Sequence, residues 1–112
     1  MPTGFAETPA PPYYAAIFTG QRTEGDHGYD RMAGAMFELA LKQPGCLGIE
    51  SAKSTDGLGI TVAYFSDEAA IHNWKQNTQH LAAQRLGKGR WYSRYEVRIA
   101  KVERSYAGPE GR

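Results

Sequence analysis

Apolar residues recur along this chain in two alternating rhythms, and the alternation outlines a fold. From Tyr13 to Gln21 the stretch YYAAIFTGQ is aromatic and aliphatic and free of proline, which predicts a strand buried on both faces and stopped by the polar turn RTEGDHG. Tyr29, Met32, Ala33, Met36, Leu39 and Ala40 then follow at steps of three and four, with Asp30, Arg31, Glu38 and Lys42 on other faces. That spacing predicts an amphipathic helix, closed by Pro44-Gly45. Cys46 to Lys53 and Leu58 to Phe65 alternate across the turn STDG, which predicts a hairpin. Ser66 is the expected N-cap of a second helix running through Ile71 and Trp74, with Asp67 and Glu68 in the first turn, where the helix dipole favours negative charge. The last strand is expected from about Trp91 to Tyr106, with Trp91, Tyr95, Val97 and Ile99 on one face. Val102 falls out of phase with Ile99, which predicts a bulge near Ala100 and Lys101.

The resulting order, βαββαβ, is the ferredoxin-like split βαβ arrangement, an α+β fold with one four-stranded antiparallel sheet and both helices on one side. It spans residues 13–106, between a proline-rich arm at 1–12 and a tail at 107–112. The arm, with four of the six prolines, is expected to lie extended outside the core. Helices on one side leave the other side of an apolar sheet in water, so a second copy, or something else, is expected to cover it.

Composition narrows the function without choosing it. A chain of 112 residues has room for one core. Its net charge of +1 offers no general attraction to nucleic acid or acidic lipid, so neither is an expected partner. The single cysteine, Cys46, has no internal disulfide partner. The start Met-Pro-Thr-Gly lacks a signal peptide's basic and apolar regions, and no apolar run approaches the roughly 20 residues needed to span a bilayer, which together predict a cytoplasmic protein. His27, His72 and His80 lack zinc-site spacing, and GLGI at Gly57 to Ile60 is a turn entering a strand, not a nucleotide fingerprint.

The stretch WKQNTQH, Trp74 to His80, carries the most chemistry. On a continuous helix a spacing of six turns two side chains about 120° apart. Trp74 would then be core and His80 solvent-facing. Asn77 or Thr78 could cap a fresh start at NTQHLAAQRLG, with Leu81, Ala82 and Leu86 as a new stripe ended by Gly87, and a bend there would aim both rings at one cavity. A histidine in such a place titrates near neutral pH and can accept a phenolic proton. Period two groups Arg94 with Tyr92, Glu96 and Arg98, opposite Val97 and Ile99, where its ordinary role is an ion pair near Glu96 or with the partner subunit. Tyr92 and Tyr64 ordinarily pack with a satisfied hydroxyl.

Three segments resemble the antibiotic biosynthesis monooxygenase domain, of the dimeric α+β barrel superfamily: YYAAIFTGQRTEGDHGY, QPGCLGIESAKSTDGLGITVAYF and AIHNWKQNTQHLAAQRLGKGRWYSRYEVRIAKVE. The markers are PG-x-LG-x-E, W-x5-H, and QRLG leading into WY-x-x-Y-x-V-R, and the likeness runs from about Tyr13 to Tyr106. It implies a homodimer whose two sheets pack into a barrel, with a small-molecule cavity between helices and sheet in each subunit. Relatives include cofactor-independent oxygenases that turn polycyclic phenols into quinones, haem-degrading enzymes, isomerases and proteins without a known substrate. The haem degraders carry an asparagine in the first strand, and YYAAIFTG has none, so haem is disfavoured. In the quinone-forming branch a helical tryptophan is accompanied by a polar ring six residues on and an arginine in the last strand, positions matched by Trp74, His80 and Arg94. The asparagine one turn before the tryptophan is replaced by Ala70.

The resulting expectation is an oxygenase without a cofactor, acting on an acidic phenolic or polycyclic substrate with O2. His80 is its base, Trp74 its wall, Arg94 or Tyr92 its anion stabiliser, and Tyr92, Tyr64 and Asn77 the candidate substrate contacts. The alternative is a haem-binding or non-catalytic dimeric ligand-binding module.

Overall fold

The chain was analysed as a computed structural model that describes residues 4–25, 28–85 and 91–109, with the backbone alone for 78–85. Six elements form in the expected order: β1 (Tyr13–Arg22), α1 (Tyr29–Leu41), β2 (Cys46–Lys53), β3 (Leu58–Phe65), α2 (Glu68–Arg85) and β4 (Tyr92–Val102). The strands pair antiparallel in the order β2-β3-β1-β4, so the ferredoxin-like α+β fold predicted from the periodicity is the fold observed.

Register decides which residues share a side, because residues paired across an antiparallel ladder point the same way. Ala16 pairs with Ala63 and Ile99, and Phe18 with Thr61 and Val97. Ala63, Phe65 and Ile49 pack with Ala40 of α1 and with Ala70 and Ile71 of α2 in the core, joined by the half-buried Tyr14, Ala16, Phe37, Cys46 and Trp74. This is the helix side. Ala15, Ile17 and Thr19 of β1 point to the open side, as do Tyr64, Val62 and Ile60 of β3 through their pairing.

Local chemistry explains the helix ends. Gly28 caps α1 in the left-handed region, φ 84°, without a side-chain bond. At the start of α2 the cap is Asp67 and not the expected Ser66: the Asp67 carboxylate accepts the Ala70 N–H at 2.8 Å, three residues on. Ser66 is engaged instead through its backbone, donating to the Gly45 carbonyl at 2.8 Å, which ties the end of β3 to the turn after α1. Gly45 sits at φ 86°, and a Cβ there would lie 2.8 Å from both the Ala70 Cβ and the Ser66 Oγ.

Three expectations are corrected. The last strand ends at Val102, and its register runs without interruption through Ala100 and Lys101; the irregularity lies at its other end, where Gln21 pairs with Arg94 and Arg22 with Tyr92, leaving Ser93 as the extra residue. Val102 is out of phase with Ile99 because it belongs to the open side, opposite Tyr13. The arm is not clear of the core either. The Ala6 N–H donates to one Glu50 carboxylate oxygen at 3.0 Å, the Tyr64 hydroxyl donates to the other at 2.7 Å, and Thr8 and Tyr13 share a hydroxyl bond of 3.0 Å. A carboxylate with both oxygens engaged holds the arm over one end of the open side, where Tyr13 and Ala15 are buried. Finally, α2 runs unbroken from Glu68 to Arg85, without the bend expected at Asn77-Thr78.

Candidate functional site

The helix side of β1 and β4 carries a continuous set of aromatic rings. Tyr92 stands at its hub, with ring centroids 5.1 Å from Phe18, 6.2 Å from Tyr95 and 5.8 Å from Tyr29. Phe18 and Tyr95 stack at 5.6 Å and 17°, and Tyr29 meets Trp91 edge-on at 6.0 Å. The extra residue at Ser93 creates this group: it puts Tyr92 in phase with Tyr95, Val97 and Ile99, where an unbroken period of two would have sent it to the side of Arg94. Gly20 supplies the room. A Cβ on Gly20 would meet the Tyr92 ring at 2.7 Å and Phe18 at 2.8 Å, so the ring lies directly on the bare strand.

Polar groups close one end of the set. The Tyr92 hydroxyl donates to the Tyr29 hydroxyl at 2.9 Å, and the Arg22 guanidinium stands 3.5 Å over the centre of the Tyr29 ring. Arg22 is itself fixed, donating to the Trp91 carbonyl at 3.2 Å and to the Gly25 carbonyl at 3.1 Å. Burial first, and then the bond to Tyr29, push the Tyr92 phenol far above its ordinary range, so it keeps its proton at any physiological pH. At the other end Tyr95, Val97 and Ile99 stay about half exposed. The result is an apolar, half-exposed row with a hydroxyl pair at one end.

The predicted site residues are not all brought together. Trp74 is half-buried against the core on the helix side, and Tyr92 shares that side. Arg94 does not: it points to the open side, with its side chain 83% exposed and 3.7 Å from Glu96, which also pairs with Arg98 at 3.0 Å. That is the ordinary ion-pair role. Tyr64 also lies on the open side, donating to Glu50, and Asn77 is exposed on α2. A shallow depression of about 500 Å³ on the open side, bordered by Thr19, Gln21, Leu58, Arg94, Glu96 and Arg98, is separated from Trp74 by the sheet.

The side chains of His80, Thr78, Leu81 and Ala82, together with Leu86 and Gly87, lie outside the described residues. The helix that carries His80 is continuous from Glu68 to Arg85. Among the described residues no group of three histidines, cysteines or carboxylates is assembled for a metal. Cys46 packs beside the core, and burial pushes its thiol above the ordinary range. Tyr29, Phe18, Gly20 and Arg22 escaped the sequence reading; a glycine inside an aromatic strand was the available signal, since it marks close approach of a neighbour.

The tyrosines make stability sensitive to alkali. Tyr64 is pushed up to about 12, by burial first and then by its bond to Glu50. A phenol whose folded value exceeds its unfolded one, about 10, stabilises fully below that pH and loses the contribution as pH rises through the folded value. Urea midpoints are therefore expected to fall above about pH 10, and to fall less steeply in Tyr64→Phe. Equal slopes in the two proteins would show that Tyr64 is not held this way.

Comparison with known proteins gives the arrangement its relatives. The family model described as antibiotic biosynthesis monooxygenase matches residues 26–86. An uncharacterised Bacillus subtilis (strain 168) protein, YqjZ, is 48% identical over 99 residues, covering 88% of this chain and 87% of its own. Among solved structures, protein SO0527 of Shewanella oneidensis aligns with a TM-score of 0.68 at 13% identity, over 84% of this chain and 94% of its own. PA3566 of Pseudomonas aeruginosa aligns at 0.62 and 21%, over 91% and 99%. At those identities the two structures speak for the fold.

Proposed function

The chain belongs to the antibiotic biosynthesis monooxygenase family, and from that membership we propose that it oxidises a small, flat, acidic phenol with O2 on the helix side of its sheet, without a cofactor. The observation that carries the reading is the row formed by the part-buried Phe18 and Tyr92 and the half-exposed Tyr95, Val97 and Ile99, on the same side of the sheet as Trp74. Apolar rings exclude water from the bound molecule, and hydroxyl donors at one edge favour its anion. An anthrone-like anion is electron-rich enough to pass one electron to O2. The resulting superoxide and carbon radical combine in a C–O bond, and the peroxide loses water as its O–O bond breaks. One oxygen atom remains as the new carbonyl and the other leaves in water, with both hydrogens of the original CH2.

An oxygen electrode tests this with anthrone. One O2 consumed per carbonyl formed, above the rate in buffer, is the expected result; a rate equal to buffer overturns the reading. His80 was the expected base, a reading that required α2 to break before it, and α2 is continuous from Glu68 to Arg85. His80→Ala is therefore expected to keep uptake within about threefold, whereas a loss of about a hundredfold, the scale of a missing general base, would restore it to the mechanism and require α2 to open.

A second copy of the chain is the proposed cover for the open side, where Leu58 and Ile60 are 43% and 44% exposed beside the half-buried Ile17 and Val62. The wild-type protein is then expected to sediment as a dimer and Ile60→Glu as a folded monomer. A monomeric wild type would count against the barrel. No described helix is long and apolar enough to cross a membrane.

A further inference from the structure

The hydroxyl bond between Tyr92 and Tyr29 has a direction. Tyr92 donates and Tyr29 accepts at 2.9 Å, so Tyr29's own proton is not spent in that bond and is available to be donated onward. Each member of the pair is held by something else. Tyr92 rests where a Cβ on Gly20 would collide with it, and it touches Phe18, Tyr95 and Tyr29 edge-on. Tyr29 begins α1, packs edge-on against the buried Trp91, and lies under the Arg22 guanidinium at 3.5 Å. The cation–π contact holds the ring in place from its face.

We propose that Tyr29 is the hydrogen-bond donor to the anionic oxygen of a flat aromatic ligand seated against the Phe18–Tyr95 pair, and that Tyr92 and Gly20 position it. The assignment rests on the small-molecule reading above, but it concerns binding and ionisation of the ligand, not its reaction with oxygen. The stacked pair is the platform, with Tyr95 53% exposed. Tyr92 bridges platform and donor, since its ring neighbours both. With Tyr92 donating to it, the Tyr29 hydroxyl keeps its own hydrogen for the ligand. The pair therefore selects aromatic ligands with an ionisable oxygen at one edge over hydrocarbons of the same shape.

Alizarin, whose colour reports its ionisation, tests this in the full-length protein. Bound to the wild type, its first ionisation is expected to fall by about one pH unit, a tenfold preference for the anion. Tyr29→Phe keeps the ring, its packing and the guanidinium above it, and removes the hydroxyl that accepts from Tyr92 and would donate to the ligand. This variant is expected to bind neutral alizarin within about threefold of the wild type while the ionisation returns to the free value. Tyr92→Phe, in which the donor loses its orientation, is expected to move it part of the way back. Wild-type binding that leaves the ionisation unmoved, a shift unchanged in Tyr29→Phe, or no binding at all overturns the assignment. Oxygen uptake with an unmoved ionisation removes Tyr29 and leaves the oxygenase reading standing. A shift abolished in Tyr29→Phe, in a protein that consumes no oxygen, does the reverse.

Discussion

Phe65→Ala is expected to cost about 3–5 kcal/mol of folding stability, the usual range for emptying a phenylalanine site in a packed core. Phe65 is fully buried, between Ala40 of α1, Ala70 and Ile71 of α2, and Ile49 and Ala63 of the sheet. Most of those neighbours are small. Alanines cannot lean in to refill the space, so the cavity stays open and the cost falls at the upper end of the range. A domain of this size has roughly 5–15 kcal/mol in total, so the variant is expected to be partly unfolded at growth temperature. Urea unfolding followed by tryptophan fluorescence measures the loss. A value under about 1 kcal/mol would show that the two helices do not meet the sheet through this residue.

The second large effect comes from adding a single methyl group. Gly45→Ala is expected to destabilise by roughly 2–4 kcal/mol: about 1–2 for forcing a side chain into the left-handed region, and the rest for overpacking against Ala70 and Ser66. The φ of 86° and the two 2.8 Å approaches set both parts. Gly34→Ala is the control of opposite sign. Gly34 lies inside α1, and its added Cβ would meet nothing within 4 Å, so the same chemical change is expected to stabilise by about 0.5–1 kcal/mol through helix propensity. Equal effects at the two positions would refute the conformational argument for Gly45.

The contrast between fold and site in the sequence has a physical cause. Periodicity reports which residues meet water and which do not, and that was enough to place all six elements. It does not report where one residue has been inserted into a ladder. Arg94 and Tyr92 sit two apart in the chain and looked like neighbours on one side, whereas Ser93 sends them to opposite sides of the sheet. Nor does a plausible cap compel a helix to break: Asn77 and Thr78 have cap chemistry, but α2 continues through them. The polar network of Glu50, Tyr64 and Ala6 was equally hidden, since it joins residues up to 44 positions apart through one carboxylate, with Thr8 bonded separately to Tyr13. Resemblance named the right family from scattered markers, yet markers carry spacing along the chain and not orientation across it.

Ser93 has a further consequence for comparing this chain with its relatives. A relative of the same length that paired this strand without the bulge would present its tyrosine on the open side and leave Gly20 uncovered. An alignment would score the tyrosine as retained, although its role had moved to the other side of the protein. Within this family, whether the ladder is bulged at this point is therefore a better guide to which side of the sheet the ring occupies than the identity of the residue that bears it.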